Sequence, residues 1–270
     1  MILYFSGTGN SLAIARAIAE HVGDKVMPLR EAVQADLSHE QRIGFVYPVY
    51  NFNAPAIVPK IVAQLTLPND AYYFIVCPCG AQTGDAIWQV ERVLKQKGLT
   101  LHYCHKIRVP DNSAIGFGRN PNDQLWKFDR FAPRLEQIKA DIAACKSRHH
   151  FGSRGLAGVI ARRPVFTRMV LEALRPKANA DKCIGCGICA KVCPVGNISL
   201  TAKRSNSETV CQQSGLSGEA GLIAVNGNSC EFCLACVHFC PHQAMELGHK
   251  PTLKERQYHH PNIKAKDMIR

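Results

Sequence analysis

The chain has 270 residues, 46% of them apolar, and a formal charge of +12. This is ordinary for a globular protein with a real core, in one large or two modest domains. No apolar run is long enough to span a bilayer, no charged n-region or cleavage site follows Met1, and no nucleic-acid-binding motif accompanies the basic excess.

Residues 1–5 (Met-Ile-Leu-Tyr-Phe) read as a short buried strand, and residues 12–21 as a helix with Leu12, Ile14, Ala15, Ile18 and Ala19 at three- and four-residue spacing. Between them lies Ser6-Gly7-Thr8-Gly9-Asn10-Ser11. A small-residue hydroxyl loop between a strand and a helix start is an anion site. Backbone N–H groups converge there, hydroxyls donate, and the helix dipole favours negative charge. No Gly-Lys-Ser/Thr follows, so the loop is not a Walker motif, and it is not G-x-G-x-x-G either.

Strands and helices continue to alternate. Residues 42–49, 71–77 and 99–109 read as strands, and residues 56–65, 85–97 and 122–147 as helices. In the helix at 85–97, Ile87, Val90, Val93 and Leu94 share one face. The alternation predicts an α/β fold, a doubly wound parallel sheet that presents ligands at the carboxyl ends of its strands. Residues 149–180 read as a basic linker. Between residues 154 and 182 there are seven basic residues against two acidic ones, with Phe166, Met169, Val170, Ala173 and Leu174 at helical spacing. Such a stretch packs between two domains or lies on an anionic membrane, and the first reading is preferred.

Of thirteen cysteines, eight fall in two copies of one spacing: Cys183, Cys186, Cys189, Cys193 before Pro194, and Cys230, Cys233, Cys236, Cys240 before Pro241. Three thiolates at i, i+3 and i+6 wrap one cubane, and the fourth cysteine points away and serves the other cluster. The reading therefore assigns Cys183, Cys186, Cys189 and Cys240 to one [4Fe–4S] cluster, and Cys193, Cys230, Cys233 and Cys236 to the other. Zinc sites take separated C-x2-C pairs, and disulfide frameworks belong to secreted chains. Thirty-six residues separate Cys193 from Cys230, and residues 203–221 read as a Ser/Gly-rich surface loop. Residues 198–200 and 222–225 read as short strands. Cys77, Cys79, Cys104, Cys145 and Cys211 read as structural, and residues 250–270 as a basic tail.

The doubled C-x2-C-x2-C-x3-C-P pattern resembles the two-cluster bacterial ferredoxins over residues 181–249, which implies a small α+β domain. The loop Ser6, Thr8, Gly9, Ser11 resembles the T/S-x-T-G-x-T/S phosphate loop of flavodoxins, which holds FMN; Asn10 lies within it. That resemblance implies a flavin ring at the later strand ends. Pro48, Tyr50, Asn51 and Phe52 would lie on one side, with the two aromatics for stacking. Cys79, Gly80 and Ala81 would let backbone approach the other. The whole chain resembles a bacterial group in which a flavodoxin-like domain is fused to a two-cluster ferredoxin. Phe52-Asn53-Ala54-Pro55 keeps that group's aromatic and proline, with Asn53 where the group carries glycine.

The expected organisation is a flavodoxin-like FMN domain at 1–148, the linker at 149–180, the cluster domain at 181–249 and the tail at 250–270. The expected function is electron transfer between two [4Fe–4S] clusters and FMN, serving redox partner proteins in a reducing cytoplasm. The alternative is an oxidoreductase that reduces a small molecule at the flavin, with Asp111, Asn112 or Cys79 as the polar group.

Overall fold

A computed structural model describes residues 1–149, 172, 175–203, 221–248 and 251–269. Most of the expected linker and of the loop at 203–221 lies outside the described residues.

Six strands form one parallel sheet in the order β2-β1-β3-β4-β5-β6: β1 (Ile2–Tyr4), β2 (Val26–Pro28), β3 (Arg42–Val46), β4 (Tyr72–Cys79), β5 (Leu101–Arg108) and β6 (Arg148–His149). The first five follow the flavodoxin-like order, whose reversal point lies between β1 and β3. Helices α1 (Asn10–Val22) and α4 (Trp126–Ala143) cover one face, and α2 (Ile57–Gln64) and α3 (Ala86–Gln96) cover the other. In β4, Tyr72, Phe74 and Val76 join the α1/α4 core, while Tyr73, Ile75 and Cys77 join the α2/α3 core. Burial on both faces explains why β4 reads as an unbroken apolar run.

The strand β2 has no counterpart in the sequence reading. It is three residues long, half-buried, and ends in Pro28, which an edge strand tolerates because it lacks an outer partner. Strand β4 runs two residues past its expected end, so Cys79 is a strand residue opposite Arg108 rather than a loop residue. Helix α4 begins at Trp126, after two short 3-10 turns at 112–117 and 121–124.

The cysteine-bearing part is built from two small antiparallel ribbons. Strand β7 (Pro176–Ala178) pairs with β10 (Met245–Leu247), and β8 (Ile198–Ala202) pairs with β9 (Leu222–Asn226). Residues 176–178, placed in the linker by the sequence reading, are thus tied to the far end of the cysteine region. Single helical turns α5 (Ile188–Lys191) and α6 (Ala235–His238) each carry the third cysteine of a run. Val192, Cys233, Ala235 and Phe239 pack into the α1/α4 core, as do Ile263 and Met268 of the C-terminal segment, which ends in α7 (Ala265–Met268).

Gly44 of β3 lies flat against the ring of Phe74, and a Cβ there would overlap that ring. Gly44→Ala is expected to cost about 2 kcal/mol through overpacking. The measurement is the thermal midpoint of unfolding, which should fall while the cofactor content of the surviving protein is unchanged.

Candidate functional site

The two cysteine runs fold into the same backbone shape. Gly185 and Gly187 lie in the left-handed region at φ 71° and 72°, and the matching residues of the second run, Phe232 and Leu234, do so at 53° and 59°. Beyond the fourth cysteines, Gly196 (63°) and Gln243 (50°) match in the same way. Non-glycine residues there cost about 1–2 kcal/mol each, so packing of the second run must offset that strain.

One small chamber is lined by Cys183, Cys186, Cys189 and Cys240. A second is lined by Cys193, Cys230, Cys233 and Cys236. Each run contributes three sulfurs to its own chamber and the fourth to the other. The turns at Gly196 and Gln243 bring the next N–H back: Asn197 N donates to Cys193 Sγ at 3.2 Å and Ala244 N to Cys240 Sγ at 3.3 Å. Phe232 N donates to Cys230 Sγ at 3.4 Å. Burial, with neighbouring thiols adding to it, pushes Cys189 up to about 11 and Cys236 well above the usual thiol range. Such thiols become ligands only when bound metal supplies the opposing charge. Among the described residues, no three His, Cys, Asp or Glu side chains are grouped to hold a single metal ion.

The chambers differ in exposure. Cys186 is exposed and Ile184 beside it is 63% exposed, whereas Cys233 and Cys236 are buried. The first chamber therefore faces outward and the second faces the sheet.

The carboxyl ends of β1, β3, β4 and β5 surround a third cavity. Its walls include Ser6, Thr8, Asn10, Ser11, Pro48, Tyr50, Cys79 and Gly80. Gly9 (φ 95°) precedes α1 without a side-chain cap, so the helix N-terminus is turned toward the loop. Ser6 Oγ accepts from Gly9 N at 3.1 Å, and Ser11 Oγ is buried with no partner among the described residues. Tyr50 packs edge-on to Phe5 with ring centroids 6.4 Å apart.

Four of the twelve expected flavin contacts lie off this cavity. Gly9 packs on Ile263, where a Cβ would come 2.8 Å from that side chain. Asn51 and Phe52 form a tight turn, both at positive φ, closed by Tyr50 N to Asn53 O and Asn53 N to Tyr50 O at 2.9 Å each. The turn brings the Phe52 backbone and β-carbon against Gly84, with the Phe52 carbonyl accepting from Asp85 N, and Tyr50 is the aromatic at the cavity. Ala81 lies beyond the wall formed by Gly80. Burial pushes the Cys79 thiol up to about 11, which makes it a packed thiol rather than a nucleophile.

Several residues at this edge carried no local signal. Lys127 is buried and donates to Gly80 O (2.9 Å), Val109 O (3.2 Å) and Gln124 Oε1 (2.7 Å), pinning two loops of the cavity together. Asn112 Nδ2 donates to Cys233 O at 3.0 Å, and His238 Nε2 donates to Asn112 O at 3.1 Å. Glu231, inside the second cysteine run, accepts from Ala56 N (2.7 Å) and Ile57 N (3.0 Å) at the start of α2. His260 N donates to Thr8 O at 2.8 Å.

Residues 182–244 match the family described as 4Fe-4S dicluster domain. The chain thus carries a dicluster ferredoxin domain behind a six-stranded parallel α/β sheet. Hydrogenase-4 component A of Escherichia coli is 35% identical over 92 residues, covering 26% of this chain and 45% of that protein. NAD(P)H-quinone oxidoreductase subunit I of Gloeobacter violaceus is 27% identical over 109 residues, covering 37% and 49%. The chain spans about half the length of these curated relatives. Among solved structures, the Trp repressor binding protein from Bacillus subtilis aligns at 14% identity and a TM-score of 0.34, over 56% of this chain and 100% of that one.

Gly185→Ala would place a Cβ 2.7 Å from that of Leu222, at a φ of 71°. The strained backbone alone costs about 1–2 kcal/mol. Iron content after anaerobic reconstitution should fall toward half, with the outward chamber the one left empty.

His260 Nδ1 accepts from Asn262 N at 3.2 Å, and burial pushes its pKa from 6.5 down to about 4. The fold favours the neutral ring, so this contribution to stability is full above 6.5 and is lost as pH falls toward about 4. Proton NMR should find the His260 ring titrating near the lower value, and His260→Gln should flatten the acid side of the stability profile.

Proposed function

We propose that this protein passes electrons between two [4Fe–4S] clusters and an FMN held at the carboxyl edge of the sheet. The observation that carries the reading is the contact between the inward cysteine run and the hydroxyl loop. A Cβ on Gly7 would lie 2.6 Å from Cys233 O, so backbone meets backbone, and Asn112 bonds the same carbonyl. The two sites share a wall, which is what direct electron transfer requires.

Cys183, Cys186, Cys189 and Cys240 would hold the outer cluster, and Cys193, Cys230, Cys233 and Cys236 the inner one. The loop fits a phosphate end: Ser11 Oγ is buried and unpartnered among the described residues, and α1 starts without a side-chain cap. Ser6, Thr8 and Ser11, with the N–H groups of the loop other than that of Gly9, would hold the phosphate. Tyr50, Cys79 and Gly80 would meet the ring. Bound together, the clusters handle single electrons and the flavin one or two. The chain's own work is to hold the sites together, exclude water by burial, and tune the sulfurs through the N–H donors of Asn197, Phe232 and Ala244.

The outward chamber, with exposed Cys186 and Ile184, is where a redox partner protein would exchange electrons. Among the described residues, no helix is long and apolar enough to cross a membrane. A second reading, reduction of a small molecule at the flavin, draws support from a groove of about 1190 Å³ that runs from Tyr50 and Asn51 to Glu231 and Phe232.

Anaerobic reconstitution with iron, sulfide and FMN, followed by extraction, should recover two clusters and one FMN per chain. Recovery of iron and sulfide without FMN at saturating flavin would sink the reading. In Cys193→Ala, the inner cluster's EPR signal should drop roughly tenfold while the outer one persists, as loss of a cluster ligand requires. Loss of the outer signal alone would show the ligand sets are wrong. Turnover of small acceptors above the rate of free FMN would favour the second reading.

A further inference from the structure

The expected C-terminal tail does not trail from the fold. Residues 257–263 run across the cluster-bearing part and onto the hydroxyl loop. Gln257 Nε2 donates to Val237 O at 2.8 Å and to Cys240 O at 2.7 Å. Tyr258 N donates to His238 Nδ1 at 3.0 Å. The Tyr258 hydroxyl, 1% exposed as a residue, donates to Asn10 Oδ1 at 2.6 Å. Ile263 closes over Gly9, and Arg16 of α1 pairs with Asp267 at 3.1 Å.

These contacts determine which way the loop's polar groups point. An anion site needs its N–H groups turned inward, and in a trans peptide that turns the attached carbonyl outward. The outward carbonyl of Thr8 is in a residue only 4% exposed, so it needs a donor in the protein. His260 N–H is that donor. The same peptide then directs Gly9 N–H to the inside of the loop, where Ser6 Oγ accepts it. Asn10 is held from both ends: its Nδ2 donates to Pro110 O at 3.3 Å and its Oδ1 accepts from Tyr258. Asn10 is the first residue of α1, so this grip sets the angle at which the helix N-terminus faces the cavity.

We infer that residues 257–263 are a working part of the phosphate site, with Tyr258 as a positioning residue that acts through Asn10 and the His260 backbone as the anchor of the Thr8–Gly9 peptide. The inference rests on the proposed flavin reading. It deepens that reading by assigning selectivity for the phosphorylated flavin to a segment at the opposite end of the chain. Tyr258 is not part of the cavity wall; it acts through Asn10 to ready the loop for a phosphate dianion.

The test compares FMN with riboflavin, which lacks the phosphate. Both are titrated by fluorescence quenching into anaerobically reconstituted full-length protein with its clusters in place. Tyr258→Phe keeps the ring and removes the hydroxyl. FMN affinity should fall about tenfold, the effect of losing one buried hydrogen bond, while riboflavin affinity and iron content hold. His260→Pro removes the N–H given to Thr8, leaves Tyr258 in place, and should show the same selective loss. An equal loss for both ligands, or no loss in either folded variant, overturns the inference. If the unaltered protein binds neither ligand, the flavin reading itself fails and takes this inference with it. If the unaltered protein binds both equally, flavin binding stands and the phosphate role of the segment is overturned.

Discussion

At Gly7 the sheet edge and the inward cysteine run come together backbone to backbone. The Cys233 carbonyl occupies the space that a side chain on Gly7 would need. Nearby contacts serve that approach. Asn112 bonds the same carbonyl, His238 bonds Asn112 in return, and Glu231 reaches from the cysteine loop to the start of α2. Burial raises the Glu231 carboxyl above its usual range, and the two N–H groups it accepts from offset that only in part. A β-carbon at Gly7 would push the two sites apart. Only the smallest side chain fits where the two backbones meet.

The cysteine region is a near-repeat whose copies meet different surroundings. The outward run places glycine at both left-handed positions, and the inward run places Phe232 and Leu234 there. Leu234 is 7% exposed and belongs to the core shared with Val237 and Met245, so burial offsets the backbone strain it bears. The outward run has Leu222 pressed against Gly185, and glycine there avoids both the strain and the overlap. Crossing of the fourth cysteines makes the two copies one folding unit, because neither chamber has four sulfurs without the other run.

The C-terminal segment completes the same design from the opposite side. It bonds the turn that carries Cys236, the carbonyl of Cys240 and the hydroxyl loop in succession. The two cysteine chambers and the hydroxyl loop are thereby referenced to one strip of backbone. Lys127 does comparable work between the loops after β4 and β5, where burial lowers the ammonium's pKa and three oxygens surround it.

The sequence alone determined those parts whose physics is local. The cysteines of each run in the dicluster domain fall within a few residues of one another, so their spacing is readable. Strands β1, β3 and β4 are buried on both faces, so they appear as apolar runs. The hydroxyl loop is legible because strand, small residues and helix start are contiguous. Only the tertiary structure decided the rest. Phe52 was expected beside Tyr50, but a turn with two non-glycine residues at positive φ leaves it off the cavity wall, its carbonyl accepting from Asp85 N. Strand β2 is too short to show a period. Tyr258 meets Asn10 across 248 residues of chain, and Glu231 meets Ala56 across 175. Neither pairing leaves a pattern in either segment, because a hydrogen bond depends on where the fold places its two atoms and not on the residues beside them.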